Sequence, residues 1–265
     1  MAHTLVGAAL AEAGLKRRSR YATATLLIAA NLPDIDAATV FIGADAALYF
    51  RRGWTHGVLA MLVLPVLLAG SVCLWHRWRG GGSAHHAQIP FRPGAILFLA
   101  FLGVWSHPLL DWLNTYGVRL LMPFDGTWFY GDTLFIIDPW LWLLTAAGLV
   151  LAHSHSRRAL TGWAILLAVS SGLVLGSSFV ADGTRLLWIL GIAAIVALRL
   201  WKAHHSLAAV VARGGIGLLL LYIGTAYLLA RGAESTLRVQ FPNASVIQAN
   251  PVPGNPAVHR LIVVE

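Results

Sequence analysis

Long apolar runs separated by short polar loops set the outer limit on what this chain can become. Val58–Trp75, Gly94–Leu113, Leu134–Ala152, Ala159–Val180 and Gly214–Ala230 each meet or approach spanning length. A helix needs about 20 residues to cross a bilayer core of roughly 30 Å. Leu186–Trp201 is slightly short but has the same character. Charged residues make up 11% of the 265 and hydrophobic ones 58%, whereas a soluble domain carries about 25% charged residues. The expected fold is an all-α polytopic membrane protein. Soluble globular and disordered classes are excluded, and so is a disulfide scaffold, because Cys73 is the single cysteine.

The pattern changes at both ends. Thr4–Leu15 and Tyr21–Leu32 are each about half a span, interrupted by a basic cluster and by Pro33. They read as a broken or re-entrant helical pair preceding six spans, a device tolerated where irregular backbone is buried in protein. Beyond Ala230, the segment Ser235–Glu265 carries Pro242, Pro251, Pro253 and Pro256 beside the Val/Ile-rich stretches Ser245–Gln248 and Leu261–Val264. This reads as a small polar tail with short strands, whose abrupt apolar end fits a shortened relative of longer proteins. The expected regions are 1–152, membrane-embedded with the candidate site, 153–231, further transmembrane helices, and 232–265, the tail. Gly80–Ser83 is a flexible linker by composition, and no internal repeat is visible.

The net charge of +8 follows topology. Most basic residues sit in short clusters between apolar runs: Lys16, Arg17, Arg18 and Arg20, then Arg77 with Arg79, Arg157 with Arg158, and Arg199 with Lys202. This is the positive-inside pattern of an inner-membrane protein, and nucleic acid is not an expected partner. It places 76–92, 153–158 and 199–206 in the cytoplasm and 114–133 and 181–185 outside. Arg51 and Arg52 then fall on the outer side against the bias, as residues held for function would. Met1–Thr4 offers no cationic n-region, so insertion is expected to use the internal spans.

Ionisable residues beside apolar runs are expensive and mark functional sites by default. Four places stand out: His3 at the start of the first half-span, Asp34 and Asp36 after Pro33, Arg51–Gly57 with His56, and His107–Asp111. On a helix His107 and Asp111, four apart, share one face at roughly 5–6 Å between Cβ atoms, so both can reach one ion. Pro108 requires His107 to lie near a helix start or a kink. Asp34 and Asp36 can clasp one metal or bridge two. Without cysteine, this donor set suits one or two divalent ions, with zinc favoured over manganese or iron. Asp132 and Asp138 are further acidic candidates, and Asp138, before Pro139, equally reads as an N-cap. With Asp34, Asp36 and Asp111 they are five of the eleven acidic residues. His85, His86, His153, His155, His204 and His205 lie in basic loops and read as solvated. Trp54, Trp112, Trp128, Trp140 and Trp142 suit an interfacial aromatic belt.

Together the early His3, Leu32–Asp36, Arg52–His56 and His107–Asp111 with Asn114–Gly117, plus the landmarks Met122–Phe124 and Ile137–Pro139, resemble the YdjM-type family of membrane-bound, metal-dependent hydrolases. The resemblance covers residues 1–140. It implies an integral membrane protein with a His/Asp centre whose metal ligands are His3, Asp34, Asp36, His56, His107 and Asp111. One departure is Arg51, where the family often has a His. The expected function is hydrolysis of a phosphoester or ester, with lipid-like substrates favoured because the ligands lie at span ends. Metal-activated water would attack, Asp36 or Asp111 would take its proton, and Arg52 would pair with an anionic phosphate. The alternatives are a transporter or channel using the same residues as an ion path, or a structural metal site. Membrane lipids are the expected partners, and the oligomeric state is left open.

Overall fold

The computed structural model describes residues 1–79, 89–201 and 204–264. The Gly80–Ser83 linker, His85, His86, Lys202 and the side chain of His204 lie outside the described residues. The chain divides into two compact units, Met1–Trp112 with Tyr116–Tyr130, and Leu113–Thr115 with Gly131–Glu265. Among the described residues, five helices are long and apolar enough to cross a membrane, or six if one bent pair forms a single span.

In the first unit, α1 (Ala2–Glu12) and α2 (Ala22–Ala29) pack together as the expected interrupted pair. A second bend follows: the 3-10 segment Leu32–Phe41 leaves α2 at 46°. Pro33 has no N–H to give the Ala29 carbonyl, so α2 does not run on past Ala29 and the chain re-enters as a 3-10 helix at Leu32. After the short α3 (Ala44–Phe50) come two apolar helices, α4 (Val58–Trp78) and α5 (Pro93–Trp112). Helix α5 packs against α1, α2 and α4. It buries Ile96, Leu99, Ala100 and Val104 with Leu26 and Ala29 of α2 and Leu68 of α4. Small residues allow this close approach. A Cβ on Gly103 would lie 2.4 Å from the Ala29 Cβ, and one on Gly7 would lie 2.8 Å from the Leu26 carbonyl oxygen. Pro108 sits inside α5, so the Val104 carbonyl loses its ordinary helical donor one turn before the site.

The basic residues of this unit collect at one end. The Arg20 N–H donates to the Pro90 carbonyl at 3.1 Å, and the Arg92 N–H to Ser19 Oγ at 2.8 Å. His76, in the last turn of α4, stacks on Phe91 at 3.9 Å. Lys16–Arg20, Arg77, Arg79 and Arg92 thereby share the end where α1 meets α2 and α4 approaches α5.

The second unit holds α6 (Pro139–His153), α7 (Arg157–Gly176), α8 (Asp182–Leu200) and α9 (His204–Gln240). The expected span Leu134–Ala152 becomes helical only at Pro139 and runs 15 residues. Asp138 caps it, accepting from the N–H groups of Trp140 at 2.9 Å and Leu141 at 3.2 Å, and Pro139 suits the first helical position. Leu134 instead forms an isolated bridge with Asn114. The expected span Gly214–Ala230 is the middle of the 37-residue α9. Helices α6 and α9 meet where Gly148 faces Ala212 and Gly215 faces the Leu144 carbonyl. The tail forms the antiparallel hairpin β1 (Val246–Val252) and β2 (Asn255–Val264). Its turn residue Gly254 has φ 66°, and its carbonyl accepts from Trp140 Nε1 at 2.9 Å. Trp142 is buried and Trp140 donates to the hairpin, whereas Trp54 and Trp128 are exposed.

Asp132 is the stability-sensitive acid of this unit. Burial, and then the charge of Glu234, raise its pKa from 3.8 to about 6 against the pull of Arg231. Arg231 is already engaged by Glu234 Oε2 at 2.9 Å and by the Gly131 carbonyl at 3.1 Å. A carboxyl whose folded pKa lies above its unfolded value supports the fold while protonated. That support is complete below 3.8 and lost as the pH rises through about 6. The melting temperature of the second unit's transition is therefore expected to fall across this window, and Asp132→Asn to flatten the dependence, as measured by thermal unfolding in detergent.

Candidate metal centre

Four segments of the first unit bring the candidate residues together. His3 stands in the first turn of α1, Asp34 and Asp36 on the 3-10 segment, Arg52 and His56 in the turn between α3 and α4, and His107 and Asp111 near the end of α5. Each is held by a local device. The Ala30 carbonyl lies 2.7 Å from His107 Nδ1. A carbonyl only accepts, so Nδ1 carries the proton and Nε2 presents its lone pair to the site. Gly103 makes this bond possible by letting α5 approach the end of α2. His107 also stacks on His3 with ring centroids 3.6 Å apart.

Asp111 is the hub. Its Oδ1 lies 3.3 Å from His3 Nε2, and its Oδ2 lies 3.3 Å from His56 Nε2 and 3.6 Å from His107 Nε2. Asp34 Oδ1 is 3.4 Å from His107 Nε2. Asp36 stands behind His56: its Oδ2 lies 3.4 Å from His56 Nδ1 and accepts the Arg52 N–H at 2.8 Å. Thr55 Oγ1 is also 3.0 Å from His56 Nδ1. Burial works against charging His56, but the carboxylates of Asp111 and Asp36 overcome it and raise its pKa.

Arg52 adopts a left-handed backbone with φ 51°, an uncommon conformation for a residue with a side chain. Asp36 takes its N–H, and its carbonyl accepts the Arg119 N–H at 2.9 Å. The guanidinium of Arg119 binds the carbonyls of Tyr49 and Arg51 and so clamps the turn. Thus held, Arg52 points its Nε at Asp111 Oδ2 across 3.4 Å and lies 5.3 Å from the Tyr116 ring centroid. This is what sets Arg51–Arg52 apart from the basic clusters at the unit's other end.

The donor atoms fit a divalent ion. His3, His107 and Asp111 form one possible ligand triad and Asp34, His56 and His107 another, with the ligand atoms of each within 4.8 Å of one another. His56 Nε2 and His107 Nε2 are buried without a hydrogen-bond partner, a costly state for a polar atom that a cation relieves. The two triads share His107 and merge into one His/Asp cluster. Asp36 belongs to neither, and its position matches the carboxylate that orients a ligating histidine. Asp138 serves as a helix cap, and His153, His155 and His205 are exposed. Thr55, Arg119 and the Ala30 carbonyl were not foreseen. Arg119 is detectable in the sequence only as an isolated arginine in a loop poor in basic residues.

A family model described as YdjM inner membrane protein matches residues 1–182. The chain belongs to this family. The YdjM match includes every residue of the cluster and extends beyond 140 through α6 and α7, and with the apolar helices it identifies an integral membrane protein. Comparison with curated proteins and with solved structures found no match.

Proposed function

We propose that this YdjM-family protein is a membrane-bound, metal-dependent hydrolase of phosphoesters or esters, with zinc the favoured ion. The observation that carries the reading is the cluster itself: three imidazoles and two carboxylates from four segments, with an arginine against it. His3, His56, His107, Asp34 and Asp111 would hold the ion. A divalent metal there supplies Lewis acidity, acidifying water and polarising the substrate oxygen. The chain's residues do the rest. Asp36 and Thr55 fix the His56 ring, and the Ala30 carbonyl fixes that of His107. Arg52 offers a planar guanidinium to an anionic oxygen. Asp111 and Asp36 are buried and committed to neighbours. Asp34, whose side chain is 54% exposed, is the carboxylate able to pass a proton to bulk water.

The test is hydrolysis of phosphomonoester, phosphodiester and carboxylic ester substrates by the purified full chain in detergent, with and without chelator. Activity is expected to disappear with chelator and return with added zinc or manganese. Asp111→Asn should reduce it by at least about 100-fold, within the range for losing a group that acts on the transition state. Activity indifferent to chelator excludes the proposal.

A further inference from the structure

Resting on the hydrolase reading, we infer that this centre takes a lipid phosphoester, whose chain lies on the apolar surface of the 3-10 segment while its phosphate meets Arg52 and the His/Asp cluster. The side chains of the site differ sharply in exposure. His56 and His107 side chains are fully buried, Asp36 and Asp111 are 5% and 6% exposed, and Arg52 and His3 are 13% and 15% exposed. Only Asp34, at 54%, reaches the surface substantially. The 3-10 segment that carries Asp34 is therefore the approach inferred for a substrate headgroup.

That surface is apolar. Next to Asp34 is Ile35, 59% exposed, and the same segment presents Val40 and Phe41 at 59% and 92%, followed by Ile42 at 76%. Ala37 and Ala38 are exposed as well, and from Leu32 to Phe50 the chain carries no lysine or arginine. A water-soluble phosphoester gains nothing from such an approach. An amphiphile gains at both ends: its hydrocarbon covers side chains that face outward, and its phosphate meets Arg52 at the edge of the His/Asp cluster. The segment is also half of the bent helix pair that together is long and apolar enough for one membrane span, so its apolar side chains suit contact with lipid. The guanidinium of Arg52 can fork onto two phosphate oxygens, complementing a headgroup charge that the apolar path leaves unneutralised.

The probe is a fluorescent short-chain phosphatidic acid, titrated by anisotropy into the zinc-loaded full chain in detergent, with zinc per chain measured in parallel. Wild type should bind saturably. The double variant Ile35→Ser/Phe41→Ser should bind about tenfold more weakly, because two exposed apolar contacts are removed, while its zinc content stays unchanged. Glycerol 3-phosphate, the same headgroup chemistry without chains, should compete at least about 100-fold less well than unlabelled phosphatidic acid. Equal competition by glycerol 3-phosphate, unchanged affinity in the double variant, or no saturable binding by wild type overturns the inference. Absence of zinc from wild type instead overturns the metal centre on which it rests.

Discussion

Replacing His107 with alanine is expected to empty the centre of metal while leaving the chain folded. His107 is common to both possible ligand triads and contributes an Nε2 with no other hydrogen-bond partner. Loss of a residue that merely orients a ligand typically weakens metal binding by roughly 10–100-fold, so loss of the shared ligand should exceed about 100-fold. The fold loses the bond to the Ala30 carbonyl and the stack on His3, and one such bond is worth about 1 kcal/mol. Elemental analysis beside circular dichroism separates the two effects. Asp36→Asn should fall in the milder 10–100-fold band because it acts through His56. Equal metal in wild type and His107→Ala would remove this residue from the ligand set.

The second large effect is expected at a residue with no side chain. Gly103→Leu should both destabilise the first unit and weaken metal binding. Even a Cβ at this position would stand 2.4 Å from the Ala29 Cβ and 3.2 Å from the Ala30 nitrogen. Relief requires α5 to move away from α2, and overpacking of this kind costs about 1–3 kcal/mol or more. The same movement draws His107 off the Ala30 carbonyl. The melting temperature should drop by several degrees, and metal retained after dialysis should fall with it. Gly70→Ala on α4, where a Cβ meets nothing within 4 Å, serves as the control and should be neutral or slightly stabilising. A normal metal content in a folded Gly103→Leu protein would show that close packing of α2 and α5 is not what sets His107.

Much of the centre could be read from residue types and spacing. His107 and Asp111 are four apart on a helix, and helical periodicity alone puts them on one face. Asp34 and Asp36 were harder, because a turn and a 3-10 helix share the same local sequence but aim alternate residues differently. Asp34 therefore emerges half-exposed and Asp36 buried behind His56. The Ala30 carbonyl has no residue signature at all, since any residue supplies a carbonyl and only the approach of α5 makes this one relevant. Hydropathy also lengthened one span. Leu134–Ile137 is apolar enough to join a helix, but Asp138 and Pro139 start α6 afresh and Leu134 pairs with Asn114 instead.

The most direct test of the central claim, a His/Asp metal centre in the first unit, is X-ray absorption at the metal edge of the purified full chain. The expected spectrum shows nitrogen and oxygen neighbours at about 2.0–2.2 Å with the outer-shell scattering of imidazole rings and no sulfur shell. The imidazole signal should be lost with the metal in His107→Ala. A spectrum with a sulfur shell at about 2.3 Å, or one without imidazole scattering, would contradict the assignment.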